Sequence, residues 1–433
     1  MKLSVIILAA GQGMRMKSNL PKVMHEVAGS SMLEHLLLTA TRLEAQDIRV
    51  VASEELQADQ CYQQLQKDYG FTTFLQKERL GTGHAVQSAC DDDMGDITLV
   101  LYGDAPLITE ATLMGLVQKL GAETPLSVLG FEASNPYGYG RLVVYGEQLK
   151  AIIEEKDADE VHKEITLCNS GIIAANTATL KALLPKISNN NASKEYYLTD
   201  VIALAQEDGI GCSYSIAVEQ EVMGVNNKVQ LALVENAMQR RIAERLMLSG
   251  VIIQRPETCY FDHRIEVGED VTIEPHVYTK GRVKLGDGVR VRAGSYLEDC
   301  ELAAGVVVGP YARLRPGTKL EEDVRIGNFV EVKKSHVGKG SKINHLTYVG
   351  DAKIGAKVNV GAGTVFCNYD GKKKHETHVD DGVFIGSNTS LVAPLKVGKE
   401  ALIGAGSTIT KDVEKGTLAL GRAKQVQLKK SGG

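Results

Sequence analysis

A short segment near the amino terminus has the makings of a phosphate cradle. Leu8-Ala9-Ala10-Gly11-Gln12-Gly13-Met14-Arg15-Met16 is followed by Pro21-Lys22. Two glycines let backbone N–H groups approach phosphate oxygens, and Arg15 and Lys22 add positive charge for a leaving pyrophosphate. The third glycine of a dinucleotide fingerprint is missing, and the segment is not a Walker loop. Gln76 and Leu80-Gly81-Thr82-Gly83 offer amide and backbone groups suited to a uracil edge. Tyr102-Gly103-Asp104 closes an apolar run, where an acidic residue commonly holds Mg2+ against a nucleotide phosphate. Gly138-Tyr139-Gly140-Arg141, Glu154-Glu155-Lys156, Asn169-Ser170-Gly171, Glu195-Tyr196-Tyr197-Leu198-Thr199-Asp200 and Val225-Asn226-Asn227 complete the series. Taken singly, each reads as well as a turn or a helix cap. The ordered series does not.

A second set lies further along. Ser341-Lys342-Ile343-Asn344-His345-Leu346-Thr347-Tyr348 places His345 two residues after an aliphatic position. Arg313-Leu314-Arg315-Pro316-Gly317, Lys333-Lys334, Asn359 and Cys367-Asn368-Tyr369-Asp370-Gly371 fall nearby in a repeat, and Lys372–Lys374 follow. A histidine here can take a proton from an amine before its nitrogen attacks a thioester, assistance worth roughly 10²–10⁴-fold. A surface histidine beside a solvated lysine face is the plainer alternative.

Two different grammars must position these groups. Over residues 1–228, strand-like runs at Val5–Ala10, Ile48–Ala52, Thr98–Leu101 and Leu126–Phe131 alternate with helix-like segments. That alternation predicts a doubly wound, Rossmann-like α/β sheet with ligands at the carboxyl ends of its strands. Over 229–249, Leu231, Val234, Met238, Ile242 and Leu246 recur at helical spacing, which predicts an amphipathic linker helix. Over 250–433 a six-residue period takes over. Aliphatic residues fall at Val267, Ile273, Leu285, Val291 and Leu297, then at Leu302, Val308, Leu314, Leu320, Ile326 and Val332. Short steps lead to Val337, Ile343, Val349, Ile354 and Val360, and the register resumes at Val379, Ile385, Leu391, Val397, Ile403 and Ile409.

Such a period predicts a left-handed parallel β-helix of hexapeptide repeats, its aliphatic positions pointing inward. Roughly eight coils at ~4.8 Å give a three-faced prism about 40 Å long. The prism hides few of its outer faces, so side-by-side oligomers are expected. The interruption between Val360 and Val379 carries Tyr369 and the lysine trio, and loops leaving a rigid solenoid commonly carry function.

In this order, and over nearly the whole chain, the motifs resemble the bacterial bifunctional N-acetylglucosamine-1-phosphate uridylyltransferase/glucosamine-1-phosphate N-acetyltransferases. The resemblance implies that Leu8, Ala9, Ala10, Gly11, Arg15, Lys22, Gln76, Gly81, Thr82, Tyr102, Gly103, Asp104, Gly140, Glu154, Asn169 and Asn226 meet UTP or the sugar nucleotide. It makes Arg15 and Lys22 catalytic and gives Mg2+ to Asp104 and Asn226, the first asparagine of the Gly-Val-Asn-Asn motif. It makes His345 the base for acetyl transfer. Arg315, Lys333, Tyr348, Asn359 and Lys374 then surround glucosamine-1-phosphate, and Ala362, Asn368, Tyr369, Ser387, Ala405 and Arg422 surround acetyl-coenzyme A.

The implied product is UDP-N-acetylglucosamine, a precursor of peptidoglycan and lipopolysaccharide, made by way of N-acetylglucosamine-1-phosphate. A homotrimer is expected, its acetyltransferase sites shared between chains because Ala405 and Arg422 follow His345 by several coils. Three features depart from the family. Met14 stands where threonine is usual, which touches one hydroxyl contact and not the backbone cradle. The chain is shorter by about one coil between Tyr296 and Val308, and the tail after Arg422 is brief. The alternative is a single-activity sugar-nucleotide pyrophosphorylase with a structural or regulatory β-helix; a non-catalytic scaffold would have lost Arg15, Lys22 or Asp104.

Bulk properties agree with two catalytic halves. The 433 residues predict two or three domains. A formal net charge of −5 gives no reason to expect a nucleic-acid partner or an anionic membrane surface. Seven dispersed cysteines without a C-x-x-C pair argue for reduced thiols in a cytoplasm. The apolar start reads as a buried strand, not a signal peptide, and no stretch is long and apolar enough to span a bilayer.

Overall fold

Val5, Ile6 and Ile7 are wholly buried, as an apolar run flanked by strands on both sides must be. In the computed structural model, which describes residues 2–428, they belong to the strand Leu3–Leu8 of a nine-stranded sheet. The last residues of the brief tail, Lys429–Gly433, lie outside the described residues. Leu3–Leu8 pairs in parallel with Asp47–Ala52 on one side and Ile97–Tyr102 on the other. All four anticipated strands form, the fourth as Leu126–Glu132.

The sheet is mixed, which the apolar pattern did not reveal. Leu167–Asn176 runs antiparallel between Ile97–Tyr102 and Leu126–Glu132, and the hairpin Arg141–Tyr145/Gln148–Ile153 extends from it. Alternation of apolar residues reports a buried strand but is blind to its direction. Helices such as Met32–Arg42, capped by the Ser31 hydroxyl accepting from the Glu34 N–H, cover the sheet.

Parallel register decides where the glycine loop goes. Leu8 pairs with Val51 and Tyr102, so the segments that follow these strands leave from one edge. Backbone bonds hold them there: Ala9 N–H to Val51 O at 2.8 Å, Gly103 N–H to Leu8 O at 2.9 Å and Gln76 N–H to Ala52 O at 3.0 Å.

The chain divides into two compact units, Met1–Met238 and Gln239–Gly433. The division falls inside the helix Lys228–Leu248, on which Val234, Met238, Ile242 and Leu246 are buried and Leu231 is half-buried. Glu235 ties the first half of this helix to the Ala28 N–H, and Gln239 ties the second half to both backbone groups of Phe261.

The second unit is a parallel β-helix. One face stacks ten strands in register from Ile252–Ile253 to Leu418–Ala419, and the others join as a fourteen-stranded sheet. Every aliphatic position of the repeat points into this core and is buried, apart from the half-buried Val267 near its start. The stack exceeds eight coils because its terminal strands, at Ile252 and Leu418, lie beyond the regular repeat. It also continues through the interruption: Phe366 is wholly buried and pairs with Leu391, so only the loop after it leaves the prism. Stacking is unbroken between Tyr296 and Leu320, Leu297 pairing with Leu314 and Leu302 with Leu320.

Two candidate active sites

The sheet edge of the first unit frames a cavity of about 320 Å³. Leu8, Ala9, Ala10, Gly11, Lys22, Gln76, Gly81, Thr82, Tyr102 and Asp104 line it, as the sequence anticipates. Arg79, Ala85, Val51, Val23 and Glu195 line it as well. Gln76 is buried and donates to the Gly81 carbonyl at 3.1 Å. Gly81 itself has φ +116°, and a Cβ there would lie 2.5 Å from the Tyr196 carbonyl oxygen. Only glycine carries the chain through that position.

Cations gather at one end. Lys22 Nζ forms an ion pair with Asp104 and lies 3.1 Å from Asn226 Oδ1, which also accepts from Arg15 Nη2 at 3.0 Å. Asn226 is 204 residues from Lys22 in the chain, so tertiary folding alone assembles this group. Asp104 and Asn226 offer hard oxygen donors that already collect positive charge, the donor chemistry a divalent cation of the Mg2+ kind takes.

Gly140, Glu154 and Asn169 form a second group. The Asn169 N–H donates to Gly140 O at 2.8 Å, and a Cβ on Gly140 would lie 3.2 Å from Glu154 Oε2. Thr199 Oγ1 donates to Glu154 Oε1 at 3.1 Å. Burial pushes the Glu154 carboxyl up, against the lowering effect of that hydroxyl. Asp200 is pushed up to about 6, by burial first and then by the neighbouring Glu154 and Asp157. Met14 is 79% exposed, so its departure from threonine leaves the packing untouched.

In the second unit, equivalent corners of successive coils bring the expected acetyl-transfer residues into one column. Backbone bonds step from Leu346 N–H to Asn328 O, Gly363 N–H to His345 O, Asn388 N–H to Ala362 O and Gly406 N–H to Ser387 O. Asn328, His345, Ala362, Ser387 and Ala405 therefore follow one edge of the prism. Arg422 ends the column, its Nη1 donating to Ala405 O at 2.7 Å. Ala405 is thus only a few ~4.8 Å steps from His345 along the same chain. The residues stand apart by successive coils, as the sequence reading has them.

His345 is oriented by one polar contact. Its Nδ1 lies 2.9 Å from Asn328 Oδ1, and a carbonyl oxygen only accepts. With the Asn328 oxygen as acceptor, Nδ1 carries the hydrogen and Nε2 keeps the lone pair a base needs.

On the neighbouring face, Arg315, Lys333 and Lys374 come together. Arg315 pairs with Glu331 at 2.9 Å. Contact with the Lys374 ammonium, then partial burial and the charge of Arg315, push Lys333 below the usual lysine range. Three cations that repel one another make a place for a dianion. Tyr348 and Asn368 stand beside them, Asn368 Nδ2 lying 3.4 Å from Tyr348 Oη. Asn359 occupies the next coil, half-buried, in register with Lys342 and Phe384. Tyr369 is exposed on the loop, its hydroxyl bonded to Gly371 O.

Known proteins decide the family. Residues 5–167 match the family description "MobA-like NTP transferase domain", and residues 377–411 match "Hexapeptide repeat of succinyl-transferase". A protein of Paramagnetospirillum magneticum is 48% identical over 99% of this chain and 95% of its own length. One of Marinobacter nauticus is 48% identical over 98% and 97%, and one of Bartonella quintana 44% identical over 98% and 95%. All three are named "Bifunctional protein GlmU". This chain belongs to the GlmU family. Its second unit is accordingly a left-handed β-helix of hexapeptide repeats, as the period predicts.

Arg79 and Asn328 escaped the sequence reading, and Thr199, present there within its motif, had no role of its own. Arg79 Nε donates to Ala10 O at 2.9 Å and braces the glycine loop. Thr199 holds Glu154, and Asn328 holds His345. The last had a usable signal: Asn328 and His345 are 17 residues apart, about one coil of the GlmU prism, at the same corner. Polar pairs at one coil step mark side chains stacked in contact.

Proposed function

We propose that this GlmU-family chain makes UDP-N-acetylglucosamine by two reactions at two sites. In the second unit, glucosamine-1-phosphate is seated by Arg315, Lys333 and Lys374 on its phosphate, with Tyr348 and Asn359 beside the sugar. Nε2 of His345 takes a proton from the amino group, whose nitrogen attacks the thioester of acetyl-coenzyme A. The co-substrate lies along the edge past Ala362, Asn368, Tyr369, Ser387, Ala405 and Arg422. Coenzyme A leaves as the thiol, and the N-acetylated sugar phosphate is the product.

In the first unit, the sugar-phosphate oxygen of N-acetylglucosamine-1-phosphate attacks the α-phosphorus of UTP in line, and pyrophosphate leaves. No protein nucleophile is needed. Gln76, Gly81 and Thr82 hold the base, Gly140, Glu154 and Asn169 the sugar, and Arg15 and Lys22 the growing charge on the departing phosphates. Mg2+ is the ion we assign to Asp104 and Asn226, where it would neutralise charge on the nucleotide phosphates. The domains follow the chemistry: 1–228 for uridylyl transfer, 229–249 as linker, 250–433 for acetyl transfer. A cytoplasmic location follows from the substrates; among the described residues no helix is long and apolar enough to cross a membrane.

One observation carries the two-activity reading over a pyrophosphorylase with an idle β-helix. Arg315, Lys333 and Lys374 converge on one face, and the Lys374 ammonium first of all holds Lys333 below the usual lysine range, a concentration of positive charge suited to a sugar phosphate. Chelation separates the reactions. Uridylyl transfer to N-acetylglucosamine-1-phosphate should stop with EDTA and return with Mg2+, while thiol release from acetyl-coenzyme A with glucosamine-1-phosphate continues. Acetyl transfer that needs the metal, or uridylyl transfer that ignores it, would contradict the assignment.

The assembly we propose is a homotrimer. Tyr311, Phe329 and Leu346 form a corner column beside Asn328 and His345, exposed by 58%, 58% and 61%. All three hold the left-handed backbone that recurs at corners of this β-helix, at φ +55°, +54° and +48°, and the Tyr311 and Phe329 rings stack with centroids 5.6 Å apart, so the corner presents one continuous apolar ridge. Threefold association closes on itself and covers such a column, with a neighbour walling the His345 edge. Sedimentation should give a trimer, and Phe329→Glu should dissociate it and lower acetyl transfer alone. A wild-type monomer with full acetyl-transfer activity would refute this.

A further inference from the structure

The coil that follows the lysine pair contains a buried carboxylate, 3.8 Å from Lys334 Nζ, that neither reaction as described uses directly. Asp351 is 8% exposed and accepts from Asn368 Nδ2 at 2.5 Å. Its backbone is anchored on both sides: its N–H donates to Lys333 O at 3.1 Å, and its carbonyl accepts from Thr377 N–H at 3.1 Å. One tie leads to the coil bearing Lys333, the other to the strand that resumes after the Lys374 loop. Asn368 is itself buried, and its carbonyl accepts from His375 N–H at 2.8 Å across that loop.

An asparagine amide can present either its oxygen or its NH2 group, and the two ends do opposite work. A carboxylate only accepts, so Asp351 admits only the NH2 end. The Tyr348 hydroxyl oxygen, 3.4 Å away, lies on the same side. Oδ1 of Asn368 is thereby turned away from Asp351 as an unspent acceptor. Gly350 packs tightly against both the hydroxyl and the amide. A Cβ on Gly350 would fall 2.4 Å from Tyr348 Oη and 2.7 Å from Asn368 Nδ2.

We infer that Asp351 is a positioning residue for acetyl transfer, holding the Asn368 amide so that its carbonyl oxygen accepts an amide N–H of the pantetheine arm of acetyl-coenzyme A. The inference rests on the proposed place of Asn368 at the co-substrate. It adds that Asp351, which touches no substrate, links the sugar-side Tyr348 to the coenzyme-side Asn368.

The test is a double-mutant cycle in the full-length protein, read as KM for acetyl-coenzyme A and kcat for acetyl transfer. Asp351→Asn keeps the shape but can offer either end to its partner. It should raise that KM by about tenfold, the worth of one hydrogen bond, with a smaller change in kcat and uridylyl transfer unaltered. In an Asn368→Ala background the same change should add nothing, because a positioning residue acts only through its partner. Asp351→Ser, smaller and uncharged, should raise the same KM and carries the test if Asp351→Asn does not fold. Equal losses in both backgrounds, or a wild-type KM in the folded single variants, would overturn the inference. Full activity in Asn368→Ala alone would remove the reading of Asn368 and the inference together.

Discussion

Asp104→Asn should lower uridylyl transfer by about 10²–10³-fold, the scale on which one preorganised charge contact counts in a transition state. The substitution keeps the side chain's size, and the backbone contact from Asp104 O to the Val225 N–H remains. What disappears is the charge that pairs with Lys22 and, with Asn226, suits a divalent ion. Acetyl transfer by the same preparation should stay near normal, because His345 and the cationic cluster belong to the other unit. Parallel assays of pyrophosphate and thiol release check this. An equal loss of both activities in a folded protein would rule out independent sites.

His345→Ala should cost acetyl transfer about 10²-fold or more, while UTP is still consumed when N-acetylglucosamine-1-phosphate is supplied. The sign of the pH dependence follows from the tautomer. In the tautomer that donates from Nδ1 to the Asn328 oxygen, Nε2 is the accepting atom, and protonating it removes the base. The wild-type rate should therefore fall on the acid side, and that limb should vanish in the alanine variant. Asn328→Ala should show a smaller loss, since the ring remains but its tautomer is no longer fixed. An alanine variant at 345 with nearly full acetyl-transfer activity would place the base elsewhere.

The fold was largely legible because its strongest forces are periodic. Inward aliphatic residues every six positions dictate a solenoid, and nearly all of them are buried. The central strands were legible as short apolar runs ending in glycine or acidic residues. The antiparallel strand Leu167–Asn176 was not, because burial constrains its composition and leaves its direction free. In the nucleotide cavity, the glycine loop, Gln76, Gly81, Thr82 and Asp104 stood out by residue type and position. Arg79 did not, because it acts by holding another residue across a long stretch of chain, and the role of Thr199 within its motif was hidden for the same reason. Asn328 and Asp351 are a different case. Each stands 17 residues before its partner, so the coil step written in the aliphatic repeat also places the polar contacts.

The central claim is that one chain performs both reactions in sequence, and a single incubation tests it most directly. The wild-type protein is supplied with glucosamine-1-phosphate, acetyl-coenzyme A, UTP and Mg2+, and every product is followed over time. N-acetylglucosamine-1-phosphate with free thiol should appear first, then UDP-N-acetylglucosamine with pyrophosphate, and leaving out acetyl-coenzyme A should abolish both. No thiol release, in a protein that still makes UDP-N-acetylglucosamine from N-acetylglucosamine-1-phosphate, would contradict the account and leave the β-helix without a reaction.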